Sequence, residues 1–201
     1  MIVTRITELD RKRNKIYIDG QFAFVLYKGE LRQYHIAEGR ELTAADYQEI
    51  MCTLLPKRAK LRAMNLLKSR EYTEKKLRDK LAESCYPAEV VDEAIAYVKS
   101  FHYIDDERYA GQYIEYQLDF RSKRRIENDL LEKGVDKDII CNIFSRLEED
   151  GIQPDETSMI EKLLRKRHFD KENATIQEKQ KTYAFLARKG FSHENIQKAV
   201  L

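Results

Sequence analysis

Leu130-Leu131-Glu132-Lys133-Gly134-Val135-Asp136 returns 56 positions later as Leu186-Ala187-Arg188-Lys189-Gly190-Phe191-Ser192. In both stretches an apolar helix end meets a glycine suited to a left-handed C′ position, then an apolar residue, then a residue able to cap a new helix. Upstream, a shift of 49 positions carries Leu77 onto Ile126, Leu81 onto Leu130, Tyr86 onto Val135, and Val90-Val91 onto Ile139-Ile140. Ala94, Ile95 and Val98 then fall on Ile143, Phe144 and Leu147 without a gap. A period of about 50 residues made of helices predicts a tandem array, each unit burying its apolar face against the next. Such arrays present an extended surface to a large partner, which tilts the reading away from an enzyme.

Composition fits that reading. The 201 residues include 36% charged side chains but only 7 Gly and 3 Pro, as expected for helices with short connections. The formal net charge is only +2, from 37 basic and 35 acidic side chains. A protein holding bare DNA by phosphate neutralisation alone is normally more basic, so any anionic surface must be met by local patches. Cys52, Cys85 and Cys141 show no CxxC spacing and are odd in number, which argues against a disulfide framework. With no apolar run of membrane-spanning length and no signal-peptide pattern, a soluble, cytoplasmic setting is expected.

The first 40 residues differ from the rest. Ile16-Tyr17-Ile18 and Phe22 to Tyr27 are rich in β-formers, and Asp19-Gly20 between them predicts a type I′ hairpin. Ile2 to Leu9 reads as a third strand, turned by the polar run Asp10 to Asn14. Apolar groups on both hairpin faces leave its register open. A sheet this small is marginal alone and is expected to pack on the first helices. Deleting residues 1–40 is nonetheless expected to leave the repeats folded.

From Ala44 onward the period is helical. The expected fold is mainly α: three tandem three-helix repeats preceded by the small β element. The boundaries are 1–55 for the β-rich extension with its linking helix, then 56–104, 105–153 and 154–201. Thr73 and Ser122, 49 apart, are N-caps for the middle helices of the first two repeats. The third repeat has Glu178 at the matching position, so its middle helix is expected to start earlier, near Lys171 to Thr175. The last helix of each repeat follows Pro87, Asp136 or Ser192, and Val90 to Val98 and Ile139 to Leu147 form its apolar stripe.

No catalytic constellation is legible, and no cofactor is implied. His35, His102, His168 and His193 lack metal-ligand spacing. The triplet Asp105-Asp106-Glu107 is the best metal candidate, but a cap followed by acids that complement the helix dipole accounts for it better. The basic clusters carry more. Lys75-Lys76 and Lys123-Arg124-Arg125 occupy the first turn of equivalent helices, where cations oppose the dipole. Their recurrence points to an anionic partner met by the cations and the free amides beside them; a solvated face, helped by Glu74, Glu127 and Asp129, fits as well. Arg165-Lys166-Arg167, and Lys57, Arg58, Lys60 and Arg62, read as solvated helix faces. Tyr109, Tyr113 and Tyr116 share one helix face and are expected mostly to pack in the core or between repeats.

Three segments carry a family resemblance. Arg70-Glu71-Tyr72-Thr73-Glu74-Lys75-Lys76-Leu77 resembles the R-x-x-T-E-x-E-L signature of the RecX family of recombination regulators, with Lys76 where the family usually has an acid. Tyr103-Ile104-Asp105-Asp106-Glu107-Arg108-Tyr109-Ala110 resembles its Y-I-D-D-x-x-[FY]-A segment, and Arg188-Lys189-Gly190-Phe191 its R-[RK]-G-F. The resemblance covers roughly residues 59–201 and implies three three-helix units in an elongated, curved rod. It further implies a non-enzymatic modulator that binds in the groove of the RecA filament on single-stranded DNA. There it would hinder filament growth, ATP hydrolysis, strand exchange and stimulated repressor cleavage. A monomer with only weak direct DNA contact is the expected form. A tandem-helix DNA-binding protein without a protein partner is the alternative. The motif residues read as caps, turns and stripe positions, so no catalytic residue is carried over.

Overall fold

Asp19 and Gly20 have φ of 48° and 84°, the pair of positive angles that a type I′ turn needs to match the right-handed twist of its strands. They join β2 (Arg13–Ile18) to β3 (Gln21–Tyr27) in an antiparallel sheet of order β1-β2-β3, with β1 spanning Val3–Glu8. At the β1–β2 turn the Asp10 carboxylate accepts from the amides of Lys12 and Arg13, both at 2.9 Å. The open question of register is answered by a bulge. Ile16 faces Phe24 while Tyr17 faces Phe22, so Ala23 is supernumerary. The extra residue lets Ile16, Phe24 and Leu26 enter the core while Phe22 lies exposed against Tyr17.

The computed structural model describes all residues, 1–201, and the chain divides into two compact units, Met1–Ile104 and Asp105–Leu201. In the first unit a short α1 (Lys28–Gln33) follows the sheet, then α2 (Ala44–Glu49), a π-helical turn at Ile50–Leu54 and α3 (Leu55–Leu67). The Leu55 amide reaches back to the Ile50 carbonyl. Pro56 explains the widened turn: it donates no hydrogen bond, and its ring would press on the carbonyl one α-turn earlier.

The first repeat is completed by α4 (Glu74–Glu83) and α5 (Ala88–Ser100). Val90, Val91, Ala94, Ile95 and Val98 are all buried, as their spacing predicts. They share one continuous core with Leu77 and Leu81 of α4, Ala59 and Ala63 of α3, and Val3, Ile16 and Phe24 of the sheet. Arg58 reinforces the join. It pairs with Glu30 at 3.0 Å, both side chains less than one-fifth exposed, and its guanidinium lies 4.4 Å from the Tyr27 ring centroid. Arg58 is therefore no solvated cation, because the sheet folds over it. The same shared core argues against the expectation that residues 1–40 are dispensable, which the deletion itself must decide.

The second unit holds α6 (Asp106–Gln117), α7 (Lys123–Glu132) and α8 (Lys137–Glu149), then α9 (Glu156–Lys166), α10 (Ile176–Arg188) and α11 (His193–Val200). Ile114, Ile126, Leu130, Ile140 and Phe144 form the core of the first trio; Ile160, Leu186, Phe191, Ile196 and Val200 form that of the second. The displaced start of α10 is explained by Thr175. Its hydroxyl accepts from the Glu178 amide while the Glu178 carboxylate takes the Thr175 amide at 2.8 Å, a full capping box. That helix is 13 residues long against 10 for α4 and α7, which supplies three of the seven extra positions in the offset; the longer α9–α10 connection supplies the rest.

Most helix ends follow one rule. Gly134 and Gly190 both have φ of 87°, and at the equivalent place in the first repeat Cys85 adopts φ of 61°. His35, His102 and His168 also sit at positive φ, directly after α1, α5 and α9. Three of the four histidines thus serve as left-handed helix stops.

Candidate functional site

Ser122 starts the site. Its hydroxyl accepts from the Arg125 amide at 3.3 Å and donates to the Lys189 carbonyl at 2.9 Å. The α10–α11 turn is thereby tied to the first turn of α7. Gly190 makes the approach possible, since a Cβ there would meet the Ser122 Oγ at 2.7 Å and the Arg125 amide nitrogen at 3.2 Å. This face of the helix start is docked against the protein's own chain instead of standing open to an anion.

The five candidate cations separate accordingly. Lys123 pairs with Glu148 at 2.6 Å and lies 5.0 Å from the Phe144 ring centroid. Arg125 pairs with Asp129 at 3.0 Å. Asp129 is buried and is held also by Arg121 and by the Tyr113 hydroxyl at 3.1 Å. Burial, with the Asp129 charge beside it, pushes the Tyr113 phenol up from its ordinary value. Arg124 is exposed and makes no ion pair. In the first repeat Lys75 is exposed and Lys76 has only a long contact, 3.8 Å, to Asp79. Arg124 and Lys75, which are repeat-equivalent, are thus the cations most open to a partner.

One regularity was not read from the sequence. Glu74 at the start of α4 pairs with Lys99 near the end of α5, 2.7 Å apart. Lys123 and Glu148 hold the equivalent positions with the signs reversed. Burial alone would raise the Glu74 carboxyl, but hydrogen bonds from Lys99 and Arg78 outweigh it and hold the pKa below its usual value.

A second feature was missed as well. Between the α6–α7 turn, α9 and the end of α10 lies an open groove of about 530 Å³. Phe120, Arg121, Arg125, Lys162, Arg188 and Lys189 line it. These cations come from three separate stretches of chain, so the charge run at 123–125 announces only Arg125 among them. Tyr116 is not on the packed face of α6. It is 73% exposed and pairs with Phe120, itself 71% exposed, at 6.2 Å between ring centroids; Tyr109 and Tyr113 stack on one another instead.

The acidic triplet has structural employment. Asp105 accepts from the Arg108 amide at 2.9 Å, capping α6, and Glu107 pairs with Arg146 at 3.0 Å. The family segments behave alike: Thr73 caps α4, Ile104 and Ala110 are buried, Gly190 ends α10 and Ser192 caps α11.

The three helical trios correspond to known domains. The RecX first, second and third three-helix domains match residues 59–97, 105–142 and 155–200, in that order. The chain belongs to the RecX family. Regulatory protein RecX of Caldanaerobacter subterraneus subsp. tengcongensis is 33% identical over 202 aligned residues, covering 100% of this chain and 98% of that protein. Regulatory protein RecX of Listeria monocytogenes is 26% identical over 191 residues, covering 94% of this chain and 70% of that protein. A crystal structure of regulatory protein RecX superposes with a TM-score of 0.62 at 24% identity, over 98% of this chain and 97% of the other, and so shares the fold.

Proposed function

We propose that this RecX family member is a regulatory protein without catalytic activity, acting on the RecA filament assembled on single-stranded DNA. It binds the filament as a cytoplasmic monomer and restrains filament growth, ATP hydrolysis and strand exchange. The observation that carries the reading is the match of all three RecX domains in order, joined to relatives named as regulatory proteins. The candidate contacts are the open cations Arg124 and Lys75, with Lys76, Lys123 and Arg125 beside them. Sites of this kind steer and orient a charged partner without performing chemistry on it.

The test is a titration of the full chain into RecA hydrolysing ATP on single-stranded DNA. Hydrolysis should fall with added protein when the filament is already assembled. Unchanged hydrolysis across the titration would overturn the reading. Inhibition only when the chain meets the DNA before RecA would instead mean that it works by occupying the strand.

A further inference from the structure

We propose that the groove between the α6–α7 turn, α9 and α10 binds a single nucleic-acid strand, with Phe120 and Tyr116 as its base-stacking platform. Arg121 and Arg125 are partly neutralised by the buried Asp129 between them. Lys162, Arg188 and Lys189 are exposed and make no ion pair. The dipole of α10 accounts for cations at its end, but it accounts neither for Lys162 on α9 nor for the bare Phe120 ring in the lining with Tyr116 beside it. Cations that track a backbone beside rings open to solvent are what an unpaired strand requires, because every base has a π-face and every linkage a charge. An acidic peptide would use the cations and leave the rings idle. A duplex hides its base faces, so it too would leave the platform unused.

The inference deepens the regulatory reading by supplying a contact to the strand, and it rests on that reading only in taking the strand to be the filament's. The contact itself can be measured without a recombinase. The chain contains no Trp, so Phe120→Trp places a single reporter at the platform. Oligo-deoxythymidine should quench that fluorophore, whereas poly-glutamate of similar charge should not. By anisotropy with a labelled oligonucleotide, Phe120→Ala should weaken binding by roughly tenfold with little change in salt dependence. The double variant Lys162→Ala/Arg188→Ala should flatten the slope of log K against log salt by about 1.4. All of these side chains are exposed, so the variants should keep the parent's helical spectrum. Absence of quenching by the oligonucleotide, or an equal response to poly-glutamate, would overturn the proposal; the latter would assign the groove to an acidic protein segment. Either result would leave the ATP-hydrolysis test standing, and failure of that test would leave this one standing.

Discussion

At the scale of single residues, positive φ is handled in two ways. Gly190 combines φ of 87° with a close approach to Ser122 and Arg125. Gly190→Ala should therefore cost at least the 1–2 kcal/mol or so of a left-handed L-residue, plus the displacement of the α7 start. Cys85, at φ of 61°, tolerates that strain already. Cys85→Gly should stabilise the protein by about 0.5–1 kcal/mol once the looser unfolded chain is counted. Urea midpoints of the two variants should move in opposite directions. Arg124 offers the cleanest residue-level test of partner binding. Arg124→Glu should leave the thermal midpoint close to the parent's while weakening attachment to a RecA filament, most at low salt. Arg165→Glu, in a solvated run, serves as the control. Equal inhibition by parent and Arg124→Glu across a salt series would remove Arg124 from the surface. Replacing Lys123, Arg124 and Arg125 together would confuse the issue, because Arg125 holds the buried Asp129.

At the scale of elements, the repeat conserves a contact and not its signs. The start of α4 meets the end of α5 through Glu74–Lys99, and the start of α7 meets the end of α8 through Lys123–Glu148. Glu148→Lys alone should destabilise by about 0.5 kcal/mol or less, since the pair is half-exposed. The double exchange Lys123→Glu/Glu148→Lys should recover that loss and add a small gain, because an acid then sits at the positive end of α7. A double-mutant cycle in urea checks the coupling; strict additivity would mean that the pair contributes nothing. Acid titration tests the other pair. The folded Glu74 pKa lies below its ordinary 4.5, so its stabilisation is present above about that pH. It is lost as pH falls through the lowered value. Glu74→Gln should therefore lose less stability than the parent between neutral pH and about pH 3, measured by urea melts.

At the scale of the whole molecule, cores decide what can stand alone. Residues 1–104 share one apolar core between sheet and helices, whereas residues 105–201 are built on cores of their own. Removing residues 1–40 should strip apolar cover from α3 and α5, lowering the first unit's thermal midpoint by several degrees or unfolding it. A fragment of residues 105–201 should keep a helical spectrum and a cooperative melt. Retention of the parent's full stability after the deletion would show that the sheet adds nothing to that core.

Much of this was legible in the chain because it depends on near neighbours. The 49-residue shift, the caps Thr73, Ser122 and Ser192, the glycine stops and the stripe from Val90 to Val98 follow from spacing and local chemistry. These features determine an array of three helical trios behind a β-hairpin, and the motif segments point to the family. Tertiary structure alone decided which cations are open. Arg58 looks like Arg124 in a charge run, yet folding brings Glu30, 28 positions away, against the first and no carboxylate against the second; the Arg125–Asp129 pair, four residues apart on α7, is local by comparison. The groove beside Phe120 was equally hidden, since its cations come from α9, α10 and the α6–α7 turn, far apart along the chain. Periodicity reports which face of a helix is buried; it carries no information about which distant side chains folding brings to the same place.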